Sequence, residues 1–246
     1  MRQRVLLLAG SSEAREIAAL LAMDNGFDVT ASFAGVTRLP AKLPVKTRSG
    51  GFGGVAGLCD YLRDTGTDTL IDATHPFALN MTVSAAKAAK KMGLRHLIVQ
   101  RPGWQPQRGD NWHFVDALVQ AARLIPKGAT VFLGTGRQTL DSFANLADCR
   151  LICRQIDPPD RPFPYPNGRF QIGRPPFSIA DEVAFFKAEG IDWLVVKNSG
   201  GSASHSKLDA ARELGLPVIL LRRQSLPDAP LVETAQACIA WLSKGA

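Results

Sequence analysis

Several short segments of the chain carry residue types that bind anions or transfer protons. They are Gly10-Ser11-Ser12-Glu13-Ala14-Arg15, Gly50-Gly51-Phe52-Gly53-Gly54, Asp72-Ala73-Thr74-His75-Pro76-Phe77-Ala78, Gly134-Thr135-Gly136-Arg137 and Lys197-Asn198-Ser199-Gly200-Gly201-Ser202. Glycine lets backbone N–H groups approach a phosphate or carboxylate, and serine, arginine and lysine donate hydrogen bonds to the same groups. These segments predict an anionic ligand such as a nucleotide.

The first glycine segment follows an apolar run and precedes a predicted helix. Gly10 allows a sharp turn, the helix start offers free N–H groups to a phosphate, and Ser11 or Ser12 can cap that helix. The segment lacks the complete G-x-G-x-x-G pattern of dinucleotide sites. An ordinary strand-to-helix turn with a serine cap is therefore the alternative interpretation.

The end of the second predicted strand bears on the choice of nucleotide. Folds that bind NAD usually place Asp or Glu there to hold the ribose hydroxyls. Here the strand ends at Ser32-Phe33-Ala34-Gly35, and Arg38 follows shortly after. A small uncharged residue with a nearby arginine favours the 2′-phosphate of NADP, although Arg38 could also be a solvated loop cation.

His75 follows the third main predicted strand, and Pro76 can begin the next helix. A histidine at such a strand exit can donate a proton or bind a carboxylate near neutral pH. The alternative is a histidine that only bonds backbone at a turn. His96 and His113 lack such a context and are interpreted as structural, and no histidine has metal-ligand spacing, so we expect no metal site.

Two further glycine loops lie in the second half of the chain, each with one cation, Arg137 or Lys197. Both follow predicted strands and lead towards helices. Backbone N–H groups in such loops can bind an extended diphosphate or an acidic substrate. A pair of tight turns without a ligand is the other interpretation.

The order of predicted elements favours an α/β fold, because strands alternate with alanine-rich helices almost throughout. We predict two Rossmann-like domains with mainly parallel sheets and a cleft between them, and a boundary near Arg101-Pro102-Gly103. The first domain would span residues 1–102 and the second residues 103–246. Residues 158–176 contain seven prolines and are predicted to lack regular structure.

Composition is that of an ordinary globular protein, with 246 residues, 46% hydrophobic and 21% charged. The net charge of +7 suits an anionic partner, but the basic residues are dispersed and predict no nucleic-acid site. No predicted segment could span a membrane or act as a signal peptide, and a cytoplasmic location is expected. The four cysteines, Cys59, Cys149, Cys153 and Cys238, are expected to be reduced.

Several enzyme classes are excluded by missing motifs. There is no G-x-S-x-G nucleophile elbow and no P-loop. Tyr61 and Tyr165 are followed four residues later by Thr65 and Arg169, so a short-chain reductase is disfavoured. The residues alone leave open a nucleotide-binding reductase, another NADP-dependent Rossmann-type enzyme and a non-catalytic nucleotide-sensing module.

The chain resembles the precorrin-6A reductase family over essentially its whole length. The resemblance is carried, in the family's order, by Leu8-Ala9-Gly10-Ser11-Ser12-Glu13-Ala14-Arg15, Gly50-Gly51-Phe52-Gly53-Gly54, Asp72-Ala73-Thr74-His75-Pro76-Phe77-Ala78 and Val196-Lys197-Asn198-Ser199-Gly200-Gly201. The Asp-Ala-Thr-His-Pro-Phe-Ala segment is the most specific. The resemblance implies that NADPH reduces a double bond of precorrin-6A to give precorrin-6B, a step of cobalamin (vitamin B12) biosynthesis.

The resemblance also suggests which residues contact each ligand. The expected cofactor-binding residues are Gly10, Ser11, Ser12, Arg15, Arg38, Gly134, Thr135, Gly136, Arg137, Lys197, Asn198, Ser199 and Gly200. The expected substrate-binding residues are Gly51, Phe52, Gly53, Phe77 and Arg101. His75 is the candidate catalytic proton donor or carboxylate anchor. The partner is the tetrapyrrole precorrin-6A, with channelling contacts to neighbouring pathway enzymes as a further expectation.

Overall fold

The computed structural model describes residues 2–34 and 42–244, and Arg38 lies outside these ranges. The chain divides into two compact units. Unit 1 comprises Met1–Pro102 and Gln224–Ala246, and unit 2 comprises Gly103–Arg223.

Strands and helices alternate along the described residues. The strands are β1 (Gln3–Ala9), β2 (Phe27–Phe33), β3 (Lys46–Ser49), β4 (Thr69–Ala73), β5 (Arg95–Val99), β6 (Trp112–Val115), β7 (Thr130–Gly134), β8 (Arg150–Gln155), β9 (Gly168–Ile172), β10 (Trp193–Lys197), β11 (Val218–Leu221) and β12 (Leu231–Val232). The α-helices are α1 (Ser12–Ala22), α2 (Gly54–Asp64), α3 (Leu79–Met92), α4 (Ile179–Glu189), α5 (Ser206–Leu214) and α6 (Ala235–Ser243). Two segments predicted as helices, Leu118–Arg123 and Arg137–Leu146, are 3-10 helices.

Unit 1 contains a six-stranded sheet in the order β12-β5-β4-β1-β2-β3. Every neighbouring pair in it is parallel. The chain runs outward from β1 to β3 and then resumes on the other side of β1 with β4. The loops after β1 and β4 therefore lie where the strand order reverses, which is the usual place for a ligand in such sheets.

The core of unit 1 lies on both faces of its sheet. Alternate β1 residues pack with Ile17 and Leu21 of α1 on one face, and with Leu58 and Leu62 of α2 on the other. Because helices cover both faces, residues 5–9 of β1 are all buried and apolar. The central strand that carries the Gly10 turn is thus held firmly in the core.

The end of the chain belongs to unit 1, which corrects the prediction that residues 103–246 form one domain. Strand β12 pairs with β5, and α6 packs against α1. The Arg95 guanidinium donates to the Trp241 carbonyl oxygen at 3.0 Å and lies 4.4 Å from the centre of its ring. The sequence did not predict that the chain returns to unit 1, because β12 has only two residues.

Unit 2 contains a second six-stranded sheet, in the order β6-β11-β10-β7-β8-β9, and it too is entirely parallel. This order matches that of unit 1 position by position, with β7 in the position of β1 and β10 in that of β4. Strand β6 occupies the edge position that β12 holds in unit 1, although it comes first in its unit. The loops after β7 and β10 lie at the reversal point.

Most elements agree with the prediction, and the α/β fold with parallel sheets is confirmed. The expectation of no regular structure over residues 158–176 is wrong in part, since β9 lies within that range. Strand β9 itself contains no proline, so all its N–H groups remain available for pairing with β8. Strands β6 and β12 were also missed, because edge strands of two to four residues give little pattern.

All four cysteines are buried free thiols. Burial raises the pKa of Cys153 and Cys238 to about 12, so both remain protonated and unreactive near neutral pH. Among the described helices, none is both long and apolar enough to cross a membrane.

The docking of the C-terminal helix on unit 1 can be tested with a pair of leucine variants. Leu242 is fully buried in the core of unit 1, whereas Leu231 is 50% exposed. We expect Leu242→Ala to lower the free energy of unfolding by about 2–5 kcal/mol, and Leu231→Ala to change it by less than about 0.5 kcal/mol. Urea denaturation measures both values.

Hydrogen exchange then identifies the unit that is affected. Leu242→Ala should speed amide exchange in α1 and α6 and leave β7 and β10 as protected as before. Faster exchange in β7 and β10 with α1 unchanged would contradict the assignment of the C-terminal segment.

Candidate functional site

The loops after β1 and β4 in unit 1 approach each other very closely. Ala9 and Ala73 are partners in the register of the two strands. A Cβ atom added to Gly10 would lie 2.9 Å from the backbone nitrogen of His75 and 3.3 Å from the Cα of Thr74. Such a contact is too short for a side chain, so glycine at position 10 is required by packing.

The Ser11 hydroxyl is already used by the fold. It caps α1 by accepting from the Ala14 N–H at 3.1 Å, and it donates to the Ala73 carbonyl oxygen at 2.8 Å. The helix cap that we considered as an alternative is therefore present. Any contact of Ser11 with a cofactor stays a prediction.

Arg101 lies at the start of α1. Its Nη1 donates to Glu13 Oε2 at 2.6 Å and to the Ser12 hydroxyl at 3.3 Å. Burial opposes ionisation of Glu13, but a backbone hydrogen bond and the Arg101 guanidinium outweigh it and hold the pKa of this carboxyl below its ordinary value. A carboxylate thus occupies the positive end of α1, and Arg15 lies exposed one turn along the helix.

His75 and Phe77 lie in the same loop, beside Gly10. The Phe77 N–H donates to His75 Nδ1 at 3.2 Å, and the two rings are 6.0 Å apart. Because Nδ1 accepts this bond, the ring proton of neutral His75 is on Nε2. Neutral His75 can therefore donate a hydrogen bond from Nε2, which suits a carboxylate anchor, whereas protonation at Nδ1 would break the bond from Phe77.

The glycine segment after β3 is partly structural. The Phe52 ring packs 5.2 Å from that of Tyr61, and the Arg48 guanidinium lies 4.1 Å from the centre of Phe52. Gly53 has a φ of 78° as the residue before α2. A backbone turn and an aromatic contact thus account for Phe52 and Gly53, while substrate contacts of Gly51, Phe52 and Gly53 remain predictions.

In unit 2 the end of β7 packs closely against β10 and leads into a 3-10 helix without a side-chain cap. A Cβ atom on Gly134 would lie 3.0 Å from Val196 Cγ1 of β10, and Gly136 has a φ of 84°. No side chain caps the 3-10 helix that begins at Arg137. Arg137 is exposed and lies 3.5 Å from Asp160, and the Thr135 hydroxyl accepts from Thr139 at 2.8 Å.

The loop after β10 begins with Lys197 and Asn198. Burial lowers the pKa of Lys197, with the neighbouring Cys153 acting in the opposite direction. The Asn198 amide accepts from the Trp104 N–H at 2.7 Å and donates to the Trp104 carbonyl oxygen at 3.1 Å. The Asn198 side chain therefore fixes the backbone at Trp104. The backbone is also engaged here, since the Asn198 and Ser199 N–H groups donate to the Leu221 and Lys197 carbonyl oxygens.

A cavity of about 590 Å³ in unit 2 was missed by the sequence analysis. Its lining residues are Trp104, Phe177, Ser178, Ile179, Gly201, Ser202, His205, Ser206 and Asp209. The signal in the sequence was the spacing of His205 and Asp209, which on a helix brings the two side chains together. Their N–O distance is 2.7 Å.

Within residues 2–34 and 42–244, no cluster of three or more His, Cys, Asp or Glu side chains could hold a metal ion. The predicted site residues instead form two groups, one in each unit. Gly10, Ser11, Ser12, His75, Phe77 and Arg101 lie at the reversal point of the first sheet. Gly134 to Arg137 and Lys197 to Gly200 lie at that of the second.

The Glu13–Arg101 pair gives a test based on pH. Because the pKa of Glu13 is lowered in the folded protein, its contribution to stability is present above the ordinary value of 4.5 and is lost as the pH falls through the lower folded value. We expect Glu13→Gln to reduce the free energy of unfolding by about 1 kcal/mol near neutral pH. This difference should vanish towards about pH 3.

Urea denaturation at several pH values measures the difference. Glu233→Gln is the control, since Glu233 is exposed. A deficit of Glu13→Gln that persists unchanged in acid would show that Glu13 does not act through its charge.

Comparison with known proteins identifies the family. A family model described as Precorrin-6x reductase CbiJ/CobK matches residues 4–243. A precorrin-6A reductase of Rhodococcus erythropolis is 45% identical over 242 residues, which are 97% of each chain. One of Rhodobacter capsulatus is 41% identical over 241 residues, 98% of this chain and 96% of that one.

A solved structure described as CobK precorrin-6A reductase superposes with a TM-score of 0.93 at 40% identity. The match covers 98% of this chain and 96% of that chain. Family model, curated relatives and structure agree over nearly the full length, and the chain belongs to the precorrin-6x reductase family.

Proposed function

We propose that this protein reduces one double bond of precorrin-6A with NADPH, giving precorrin-6B on the route to cobalamin. The observation that carries the proposal is the full-length match to the family, with relatives named precorrin-6A reductase at 45% and 41% identity. The duplicated sheet order adds support, since each unit has ligand-type loops where its strand order reverses. A cytoplasmic location and hand-over of the tetrapyrrole to neighbouring pathway enzymes belong to the same proposal.

The loops of unit 2 fit the diphosphate of a dinucleotide. Gly134 and Gly136 allow a close backbone approach, the 3-10 helix that follows is uncapped, and Arg137 and Lys197 supply positive charge. Bound NADPH supplies the hydride for the reduction. Thr135, Asn198, Ser199 and Gly200 remain candidate contacts, although the Asn198 and Ser199 N–H groups already donate to the Leu221 and Lys197 carbonyl oxygens.

The corresponding turn of unit 1 is less open to a phosphate. Ser11 and Glu13 already satisfy the start of α1, so a phosphate there would compete with the Glu13 carboxylate. Gly10, Ser12 and Arg15 remain candidate cofactor contacts. Arg38, which would select the 2′-phosphate, lies outside the described residues.

The substrate is a large macrocycle fringed with carboxylates, and the net charge of +7 favours its approach. In unit 1, Arg101 and the Nε2–H of His75 can bind carboxylates, and Phe77 offers an apolar face. To act as the proton donor of the reduction, His75 would have to gain a proton at Nδ1 and lose the bond from Phe77. Orienting the macrocycle against the cofactor accounts for most of the catalytic task of the protein.

The proposed reaction is tested by adding precorrin-6A and NADPH to the purified protein and following near-ultraviolet absorbance. We expect NADPH to be consumed only when the tetrapyrrole is present, with NADH much less effective. Arg38→Ala should reduce the preference for NADPH over NADH by about tenfold or more, because a charged contact to the 2′-phosphate is lost. Binding of NADPH without turnover of the tetrapyrrole would favour the nucleotide-sensing alternative.

The roles of the two loop groups can be separated with one variant in each. Arg137→Ala should raise the Kd of NADPH by about tenfold, because a phosphate contact is removed. His75→Ala should lower kcat and leave the Kd of NADPH nearly unchanged.

Arg15→Ala tests the competing site in unit 1, because Arg15 is an exposed candidate cofactor contact near the start of α1. Fluorescence titration gives each Kd, and steady-state kinetics give kcat. A larger loss of NADPH affinity in Arg15→Ala than in Arg137→Ala would place the diphosphate on unit 1. Loss of NADPH affinity in His75→Ala would contradict the role assigned to His75.

A further inference from the structure

The cavity of unit 2 lies at the ligand-binding edge of its sheet, next to the loop that follows β10. Gly201 and Ser202 of that loop form one side, and the beginnings of α4 and α5 form the others. Its volume is about 590 Å³, which is within the range of small-molecule sites. It belongs to the same edge as Lys197 to Gly200 but contains none of the predicted site residues.

One part of the wall is apolar and aromatic. The Trp104 ring is largely buried, Phe177 is partly exposed, and Ile179 is 42% exposed, which is unusual for a large aliphatic side chain. The Trp104 indole N–H donates to the Gly201 carbonyl oxygen at 2.8 Å, which fixes the ring against the loop. These side chains offer a flat ring an apolar surface that the described residues leave partly uncovered.

The other part of the wall is polar, and its histidine is held in a fixed orientation. His205 Nδ1 lies 2.7 Å from Asp209 Oδ2, and Asp209 Oδ1 accepts from Arg212 at 3.0 Å. Arg212 in turn donates to Asp110 at 2.8 Å. This chain of charges leaves Nε2 as the ring nitrogen of His205 that can bind a ligand.

This polar end can bind a carboxylate through the imidazolium form of His205, since the neutral ring bonded to Asp209 at Nδ1 presents Nε2 as an acceptor. With Asp209 accepting at Nδ1, His205 can donate from Nε2 as well only when it is an imidazolium, which has two N–H donors. An imidazolium beside an anion gives a strong, charge-assisted hydrogen bond. The hydroxyls of Ser202 and Ser206 supply further donors in the same cavity.

We propose that this cavity binds one pyrrole-derived ring of the tetrapyrrole together with its carboxylate arm. The ring packs on Trp104, Phe177 and Ile179, and the carboxylate binds His205 Nε2. The volume suits a single substituted ring rather than the whole macrocycle. The identity of the ligand rests on the proposed function, whereas the class of ligand follows from the cavity itself.

The test uses porphobilinogen, a single pyrrole with one acetate and one propionate arm, titrated into the full chain by calorimetry. We expect binding to the wild type and about tenfold weaker binding to His205→Gln, as for the loss of one charge-assisted hydrogen bond. The Kd of precorrin-6A should rise by a similar factor, and the Kd of NADPH should stay unchanged. Ile179→Ser, which removes apolar surface at an exposed position without adding charge, should weaken the binding of porphobilinogen as well.

His113→Gln is the matched control, since His113 lies on β6 in the same unit and outside the cavity, and it should bind as the wild type does. Circular dichroism confirms that each variant is folded. The proposal is overturned if porphobilinogen does not bind, if His205→Gln binds it normally, or if NADPH displaces it, which would assign the cavity to the cofactor. Failure of the reductase assay would instead contradict the proposed function and leave the porphobilinogen titration valid.

Discussion

The arrangement of both ligand-binding edges depends on the close approach of the loops that follow the two central strands of each sheet. In unit 1 a Cβ atom on Gly10 would lie 2.9 Å from the His75 nitrogen, and in unit 2 one on Gly134 would lie 3.0 Å from Val196. A methyl group at position 10 would collide with the backbone of the loop after β4, and one at position 134 would press on the Val196 side chain of the neighbouring strand. The close packing that requires glycine at these two positions therefore also brings the candidate binding residues together at one edge of each sheet.

The two sheet edges differ in whether side chains bind the free N–H groups at the helix starts. This difference suggests that the two units bind different ligands. In unit 1 the Ser11 hydroxyl and the Glu13 carboxylate already bind the start of α1, and Arg101 neutralises Glu13. In unit 2 the turn at Gly136 leads into a helix without a side-chain cap. An anion gains more where no resident group must be displaced, which is the reason for proposing that the diphosphate binds unit 2 and the substrate carboxylates unit 1.

Most strands and candidate binding loops could be predicted from the sequence. Buried parallel strands are continuous apolar runs, and a glycine directly after such a run indicates a candidate binding loop. The strands and the His75 loop were predicted on these grounds. What could not be predicted depends on distant partners. Strand β12 has two residues and is defined only by pairing with β5. Asn198 bonds the backbone of Trp104, which is ninety-four positions away in the sequence. The cavity around His205 exists only because α4 and the loop after β10 form its other walls.

A buried ion pair packs against the wall of the unit 2 cavity and fixes the position of its partly apolar residues. Arg154 of β8 donates to Glu182 of α4 at 2.6 Å, and the two side chains are only 12% and 1% exposed. The same guanidinium lies 4.3 Å from the centre of the Phe177 ring, so it holds both the first turn of α4 and one face of the cavity. The buried Lys207 ammonium also interacts with this pair, attracted by Glu182 and repelled by Arg154, so removing Glu182 would leave two cations together in a buried site. The main effect of the Arg154–Glu182 pair is therefore to fix where α4 begins. The position of the start of α4 in turn determines the shape of the cavity.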